Sequence, residues 1–346
     1  MTDHPSDPRR PGDPSFVGSA GIGEREGGRG NARANAGFQH EPVMLDEVLA
    51  VFEPLTGGVV VDATVGGGGH TRALLEAHAG MSIVGLDQDP AALDAAAERL
   101  APFGDRVVLL RARFDQMTEQ LAAIGVDAIA GFLFDLGVSS PQLDRAERGF
   151  SYRSEGPLYM RMDPSASRDA ATLVNTASET ELARILRDYG DERFAGRVAG
   201  AIVRSRPIAL TTDLAEIVRD AIPAAARRRG GHPAKRTFQA LRIAVNQELE
   251  ILPDALDDAI ALLVPGGRGA VLAYHSGEDR IVKDRFRFAE NGGCTCPPRL
   301  PCACGAARLV RLLTRGARTP SAIEIERNPR AESARLRSIE KLATAS

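Results

Sequence analysis

The chain of 346 residues has no tryptophan, only 5% aromatic residues and only four cysteines. All four cysteines lie between Cys294 and Cys304, which excludes the dispersed framework of a small secreted disulfide protein. No apolar run reaches the roughly 20 residues that a membrane-spanning helix needs. The N-terminus lacks the apolar core of a signal peptide. A soluble, cytoplasmic protein with no membrane partner is therefore expected. Excess charge is also missing. A formal net charge of −3 excludes a uniformly basic surface but leaves room for a local basic patch. Residues 1–37 hold 8 Gly and 4 Pro and almost nothing apolar, the composition of a disordered tail.

What is present is organised around Asp62-Ala-Thr-Val-Gly66-Gly67-Gly68-Gly69-His70. The apolar, β-branched run Gly58-Val59-Val60-Val61 before it reads as a buried strand, and Thr71 to Ala79 after it as a helix. Glycines between strand and helix let the backbone turn tightly and approach a ligand, with the N–H groups of the helix start facing that ligand. A second strand from Ser82 ends in Asp87, 21 residues after Gly66. An acid about 20 residues past such a turn usually binds ribose hydroxyls. The nicotinamide fingerprint G-x-G-x-x-G is missing, because its last glycine position falls on Thr71 or Arg72 in the two possible registers. A nicotinamide oxidoreductase is thereby disfavoured. An acid at the end of the first strand, Asp62, fits the methyltransferase pattern instead.

Further strands at Arg106–Arg111 and Ala128–Phe134 alternate with helices at Pro90–Leu100 and Gln116–Ile124. This alternation predicts a parallel sheet. The fold expected from these residues is α/β and Rossmann-like, with an inserted all-helical domain. Residues 143–234 offer no convincing strand and read as that insertion. Residues 38–142 and 235–346 make up the methyltransferase domain. In the insertion, Asp213 with Glu216 reads as a capping box. Lys235 to Leu263 reads as one or two helices returning to the sheet. Pro265-Gly-Gly reads as a turn, Arg268 to Tyr274 as a fifth strand, and Arg308–Leu313 and Ala322–Ile325 as the last strands.

Several residues are candidates for chemistry. Asp135 ends the fourth strand, where amino-group methyltransferases carry an acceptor for the target NH2. Leu136-Gly137-Val138 replaces the Pro-Pro-aromatic that follows it in the DNA-acting enzymes; the plain alternative is a strand-end turn cap. Gln142 is a candidate cofactor partner or an ordinary loop residue. Phe114 could pack on an adenine ring or belong to the core. Gly149-Phe-Ser-Tyr-Arg153 and Met160-Arg-Met-Asp163 suit a flipped base and its phosphates, or a hinge. From Arg184 to Arg242 there are 13 Lys/Arg against 6 Asp/Glu, densest at Arg227-Arg228-Arg229, either a phosphate-contacting surface or a solvated face. Cys294, Cys296, Cys302 and Cys304 form C-x-C-x5-C-x-C, which reads as a structural zinc site or as reduced structural cysteines.

Seven motifs then occur in order: His40-Glu-Pro-Val-Met-Leu45, Gly66–His70, Phe134-Asp-Leu-Gly-Val-Ser-Ser-Pro-Gln-Leu-Asp144, Arg148-Gly-Phe-Ser-Tyr152, Phe238-Gln-Ala-Leu-Arg-Ile-Ala-Val-Asn246, His275-Ser-x-Glu-Asp-Arg280 and Asn328-Pro-Arg-Ala331. Together they resemble the RsmH (MraW) family of bacterial methyltransferases, over residues 40 to about 340. The resemblance implies a class I S-adenosylmethionine-dependent methyltransferase fold, S-adenosylmethionine as methyl donor and N4 of a small-subunit ribosomal RNA cytosine, near the decoding centre, as target. The expected partner is that RNA in an assembled or partly assembled small subunit, not DNA. The family's cofactor contacts fall on Gly68, Gly69, His70, Asp87, Phe114, Asp135 and Gln142. Asp135 and His275 are the candidates for catalysis. The chain departs from the family at Tyr159, usually Asp, and at Gly277, usually Leu. A ribosome-assembly factor that binds RNA without methyl transfer is the non-enzymatic alternative.

Overall fold

The computed structural model describes residues 42–227, 231–297 and 303–343. The expected tail 1–37, His40 and Glu41 of the first motif, Arg228, Arg229 and Cys302 lie outside the described residues. In chain order the first half contains α1 (Leu45–Phe52), β1 (Gly58–Asp62), α2 (Gly69–Ala77), β2 (Met81–Asp87), α3 (Pro90–Leu100), β3 (Val107–Arg111), α4 (Met117–Ala123), β4 (Ile129–Asp135) and α5 (Ser140–Asp144). A helical stretch follows: α6 (Ala170–Thr176), α7 (Glu179–Gly190), α8 (Ala195–Arg204), α9 (Thr211–Ala221), α10 (Ala224–Arg227) and α11 (Lys235–Asn246). The chain closes with α12 (Glu248–Leu262), β5 (Leu263–Ala273), α13 (Ser276–Asn291), β6 (Val310–Leu312), α14 (Ala322–Arg327) and β7 (Arg335–Lys341).

The strands form one seven-stranded sheet in the order β3-β2-β1-β4-β5-β7-β6. β1 to β5 run parallel, and β7 lies antiparallel between β5 and β6. The order reverses between β1 and β4, and in open α/β sheets the crevice at such a reversal, beyond the carboxyl ends of the strands, binds ligands. Asp62, Asp87 and Asp135 are the last residues of β1, β2 and β4, so three carboxylates meet the crevice.

Pleating sends alternate residues to opposite faces of the sheet. Val61, Leu86, Phe132 and Phe134 bury on one face with Leu252, Leu256 and Phe286. Val60, Ile83 and Leu133 bury on the other with Phe52, Leu74 and Leu100. A third buried cluster belongs to the stretch between β4 and β5 and includes Leu158, Leu182, Val198, Leu214 and Phe238. No strand lies among the described residues of 143–234; only an isolated bridge pairs Pro157 with Leu210.

Five local expectations are corrected. α11 packs through Phe238, Leu241 and Val245 in the helical cluster, so only α12 returns to the sheet. Asp213 is not the cap of α9, which starts at Thr211 behind Leu210 without a side-chain cap; the Thr211 hydroxyl is instead spent on the Ser154 carbonyl, 2.7 Å away. Pro265-Gly266-Gly267 does not end a strand. β5 runs through it with a bulge, pairing Leu263 with Ile129 and then Arg268 with Gly131. Ala322–Ile325 is helical, because Ser321 caps it by accepting from the Glu324 N–H at 3.1 Å. The missed last strand is β7, whose pattern is interrupted by four charged residues.

Candidate active site

The glycine loop is shaped from three sides. Gly68 caps α2 with φ +75°, a conformation that a side chain would oppose. A Cβ on Gly69 would stand 2.7 Å from the Pro42 ring, so the N-terminal motif packs directly on the helix start. The next residue of that motif, Val43, holds His70 by its carbonyl, 3.0 Å from Nε2. A carbonyl only accepts, so Nε2 carries a proton. The first-turn amides of Gly69 and His70 have no i−4 partner inside the helix and face the loop end. The Gly66 N–H donates to Asp87 Oδ2 at 3.0 Å, which ties the loop to the end of β2.

Asp87 also accepts from the Asp89 N–H at 2.9 Å. Each of its oxygens therefore takes one backbone donor and keeps a lone pair for another. Burial raises its pKa to about 6, partly opposed by the two backbone hydrogen bonds. Asp62 is 2% exposed. Burial pushes it up to about 6 as well, against the Thr71 hydroxyl that donates to it at 2.6 Å. Asp62 thus braces the first turn of α2 from beneath.

Two hydrogen bonds hold Asp135, and His70 stands beside it. The Asp135 N–H donates to Thr64 Oγ1 at 2.6 Å. Tyr274, directly after β5, donates its phenol to Oδ1 at 2.6 Å. His70 Nδ1 lies 3.5 Å from Oδ2. Burial, and then the Asp135 charge and hydrogen bond, hold the Tyr274 phenol well above its ordinary pKa, so it remains a donor. The Asp135 side chain keeps 26% of its surface exposed while His70 keeps 6%. The acid can be reached, whereas the His70 ring beside it cannot.

Gln142 is placed differently from a loop partner. Its Oε1 accepts from the Ser139 N–H in a capping box, and its Nε2 donates to Asp89 Oδ2 at 3.1 Å. Both ends of the amide are engaged, so its nearest part is to position Asp89. Asp89 is 2% exposed and also receives Arg148 at 2.6 Å, whose other nitrogen donates to the carbonyls of Arg161 and Met162. This network joins the sheet edge to the helical stretch. Phe114 is half-buried and meets Phe134 edge to face at 5.6 Å, leaving a ring face at the end of β3.

His275 is engaged at the start of a helix. It caps α13, its Nδ1 accepting from the Gly277 and Glu278 N–H groups at 3.2 and 3.4 Å. With Nδ1 occupied as acceptor, the proton sits on Nε2, which lies 3.2 Å from Glu278 Oε1 but off the line of a good hydrogen bond. Among the described residues, no hydrogen bond or ion pair joins His275 to Asp135. At Gly277 a Cβ would stand 3.0 Å from Leu249 Cδ1; Leu249 fills the place of a side chain there. Tyr159 is exposed beneath the Arg161 guanidinium, 4.7 Å from its ring centroid. Phe150, Met160 and Met162 are buried in the helical cluster, so they serve the core and offer no platform to a base. Of the basic residues, Arg242 is spent on Glu248, Arg206 on two carbonyls and Arg227 on Asp220 at 3.7 Å. Sequence reasoning missed Thr64, Thr71, Asp89, Arg148 and Tyr274. Only Asp89, directly before Pro90, carries a local signal, that of an N-cap.

Parallel strands reversing between β1 and β4, one antiparallel strand between β5 and β6, and acids closing β1, β2 and β4 define a class I methyltransferase fold. The chain belongs to the MraW methylase family, whose model matches residues 37–342, and it is a methyltransferase. It is 54% identical over 312 residues to ribosomal RNA small subunit methyltransferase H of Heliobacterium modesticaldum, covering 88% of this chain and 99% of that one. The protein of the same name from Mycobacterium sp. (strain KMS) is 51% identical over 337 residues, covering 95% and 90%. Among solved structures, an rRNA methylase from Streptococcus thermophilus aligns with TM-score 0.38 and 13% identity, covering 86% of this chain and 94% of that one. A distant likeness also holds for a methyltransferase-designated protein from Streptococcus mutans in complex with SAH, with TM-score 0.42 and 14% identity over 86% and 97%. Among the described residues, no helix is long and apolar enough to cross a membrane.

Proposed function

We propose that this protein transfers the methyl group of S-adenosylmethionine to N4 of a cytosine in small-subunit ribosomal RNA near the decoding centre, within an assembled or partly assembled subunit. The observation that carries the reading is the reachable Asp135 carboxylate, braced by Tyr274. The names of the relatives supply the RNA. The residues fit the donor: the open first turn of α2 at Gly68 and Gly69, the spare lone pairs of Asp87 for ribose hydroxyls, and the half-buried Phe114 ring for an adenine. S-adenosylmethionine supplies an electrophilic methyl carbon.

The exocyclic nitrogen of cytosine is a poor nucleophile, because its lone pair is conjugated into the ring. Asp135, accepting one of its N–H bonds, favours rehybridisation and stabilises the positive charge that develops on nitrogen. Tyr274 at Oδ1 and Thr64 at the Asp135 N–H fix that residue in advance, so little reorganisation is left for the transition state. The proton leaves after transfer, when the amino nitrogen is acidic, and no strong base is needed. His275 has no part in this scheme beyond its cap. The helical stretch 143–234 is assigned to RNA recognition, through exposed arginines of α7 and α8.

The test is direct. Purified protein with labelled S-adenosylmethionine is incubated with small subunits from a strain that lacks it, and the digested RNA is analysed by mass spectrometry. N4-methylcytidine at one site is expected. Methyl on ring carbon C5, or none on RNA, refutes the reading.

A further inference from the structure

Between α13 and β6 the chain makes an excursion whose stem is firmly pinned. The Leu309 N–H donates to the Ala289 carbonyl at 2.9 Å and Arg308 Nε to the Glu290 carbonyl at 3.0 Å. Gly292, at φ +66°, caps α13 where a Cβ would stand 2.2 Å from the Ala307 carbonyl oxygen. Beyond that stem, none of the described residues 294–297 and 303–306 is buried, and none joins a hydrophobic cluster. Yet the path is specific. It brings Cys294 and Cys296 on the outgoing side and Cys304 on the returning side to one point, with all three sulfurs within 4.8 Å of one another. Cys304 Sγ lies 3.6 Å from Cys294 Sγ. A tetrahedral zinc–thiolate centre with bonds of about 2.3 Å separates its sulfurs by about 3.8 Å. The Ala303 N–H also points at Cys296 Sγ, 3.4 Å away, the kind of backbone donor that orients and charge-stabilises a metal-bound thiolate.

We infer that Cys294, Cys296 and Cys304 bind one zinc ion that cross-links the two arms of this excursion. The ion supplies there the closure that a hydrophobic core supplies elsewhere, and it lies outside the machinery of methyl transfer. Protein purified without chelator, under reducing conditions, is analysed for metals by mass spectrometry and for free thiols by alkylation. About one zinc per chain is expected, falling at least tenfold in Cys304→Ser and in the triple variant C294S/C296S/C304S. Removing the metal should speed proteolysis within the excursion by an order of magnitude while leaving S-adenosylmethionine affinity unchanged. Cobalt added to the stripped protein should give thiolate charge-transfer absorption that the triple variant lacks. Folded, reduced protein without zinc and without cobalt binding overturns the inference. So does zinc retained by the triple variant, or a native disulfide between Cys294 and Cys304.

Discussion

The Tyr274 phenol donates to Asp135 Oδ1 at 2.6 Å, joining the end of β5 to the end of β4 across the mouth of the site. A phenol held well above its ordinary pKa beside a carboxylate stays a donor over the whole working pH range. Tyr274→Phe keeps the ring and removes only that donor. A hydrogen bond to a charged group is worth about 1.5–3 kcal/mol, so kcat should fall roughly 10- to 150-fold at 1.36 kcal/mol per decade. KM for the subunit and affinity for S-adenosylmethionine should change little. An unchanged kcat in the folded variant would show that Tyr274 positions nothing.

Asp135 itself should matter more. Asp135→Ala removes the acceptor and leaves Tyr274 and His70 facing an empty place, so turnover should drop by about 10²–10³, the range for losing one preorganised group at a transition state. Asp135→Asn keeps the Tyr274 contact and loses the charge, and should lie between the two. Cofactor affinity has to be measured by calorimetry on the same samples. If weaker cofactor binding accounts for the whole loss, Asp135 has no role at the amino group.

Asp87 gives the site a pH dependence of definite sign. Its pKa in the folded protein is raised to about 6. Ribose hydroxyls donate hydrogen bonds, so the ionised carboxylate is the binding form. Affinity for S-adenosylmethionine should be level above pH 6 and fall below it, by up to about tenfold per unit. The same shift acts on stability with opposite sense. A carboxyl raised above its unfolded value favours the folded state most at low pH, and that contribution is lost as pH climbs from about 4 to about 6. Asp87→Ala should weaken binding by about 1.5–3 kcal/mol per lost charged hydrogen bond and flatten the pH profile. A pH profile of binding that is identical in Asp87→Asn and the wild type would remove the ribose assignment.

The parts of this site carried by local pattern were legible in the sequence. β-branched strands, the glycine turn and strand-end acids announce Asp62, Gly68, Asp87 and Asp135, because each needs only its own segment to be placed. The supporting contacts span far more chain. Tyr274 lies 139 residues from its partner Asp135, and Met44 donates to Glu324 across 280 residues. Strand order alone brings such pairs together. His275 looked like a free strand-end imidazole, yet the helix that starts after it claims its Nδ1. Gln142 looked like a loop amide, yet its capping box and Asp89 leave its oxygen and nitrogen both engaged. β7 was hidden because Arg335, Arg337, Glu340 and Lys341 break its apolar alternation, although it pairs with both β5 and β6.

The basic stretch leads to the last prediction. Its formal excess overstates the charge available to phosphate, since Arg206 and Arg242 face carbonyls and a buried carboxylate inside the fold, and Arg227 stands beside Asp220. Arg193 and Arg197 on the approach to and first turns of α8, and Arg204 at its end, are exposed and have no ion pair among the described contacts. A protein that neutralises phosphates loses affinity with salt in proportion to the number of contacts, at a slope of about −0.7 per contact for single strands. Removing all three by Arg193→Ala, Arg197→Ala and Arg204→Ala should therefore flatten the slope of log affinity against log salt by up to about 2. Subunit binding should weaken most at low salt and converge with the wild type at high salt. S-adenosylmethionine affinity should not move, because none of the three touches the glycine loop or Asp87. The measurement is a salt titration of binding to small subunits, run in parallel on wild type and the triple variant. A variant that binds more weakly by one constant factor at every salt concentration would mean that these arginines shape the helical cluster rather than meet phosphate. A variant that binds as the wild type does would move the RNA surface elsewhere on the protein.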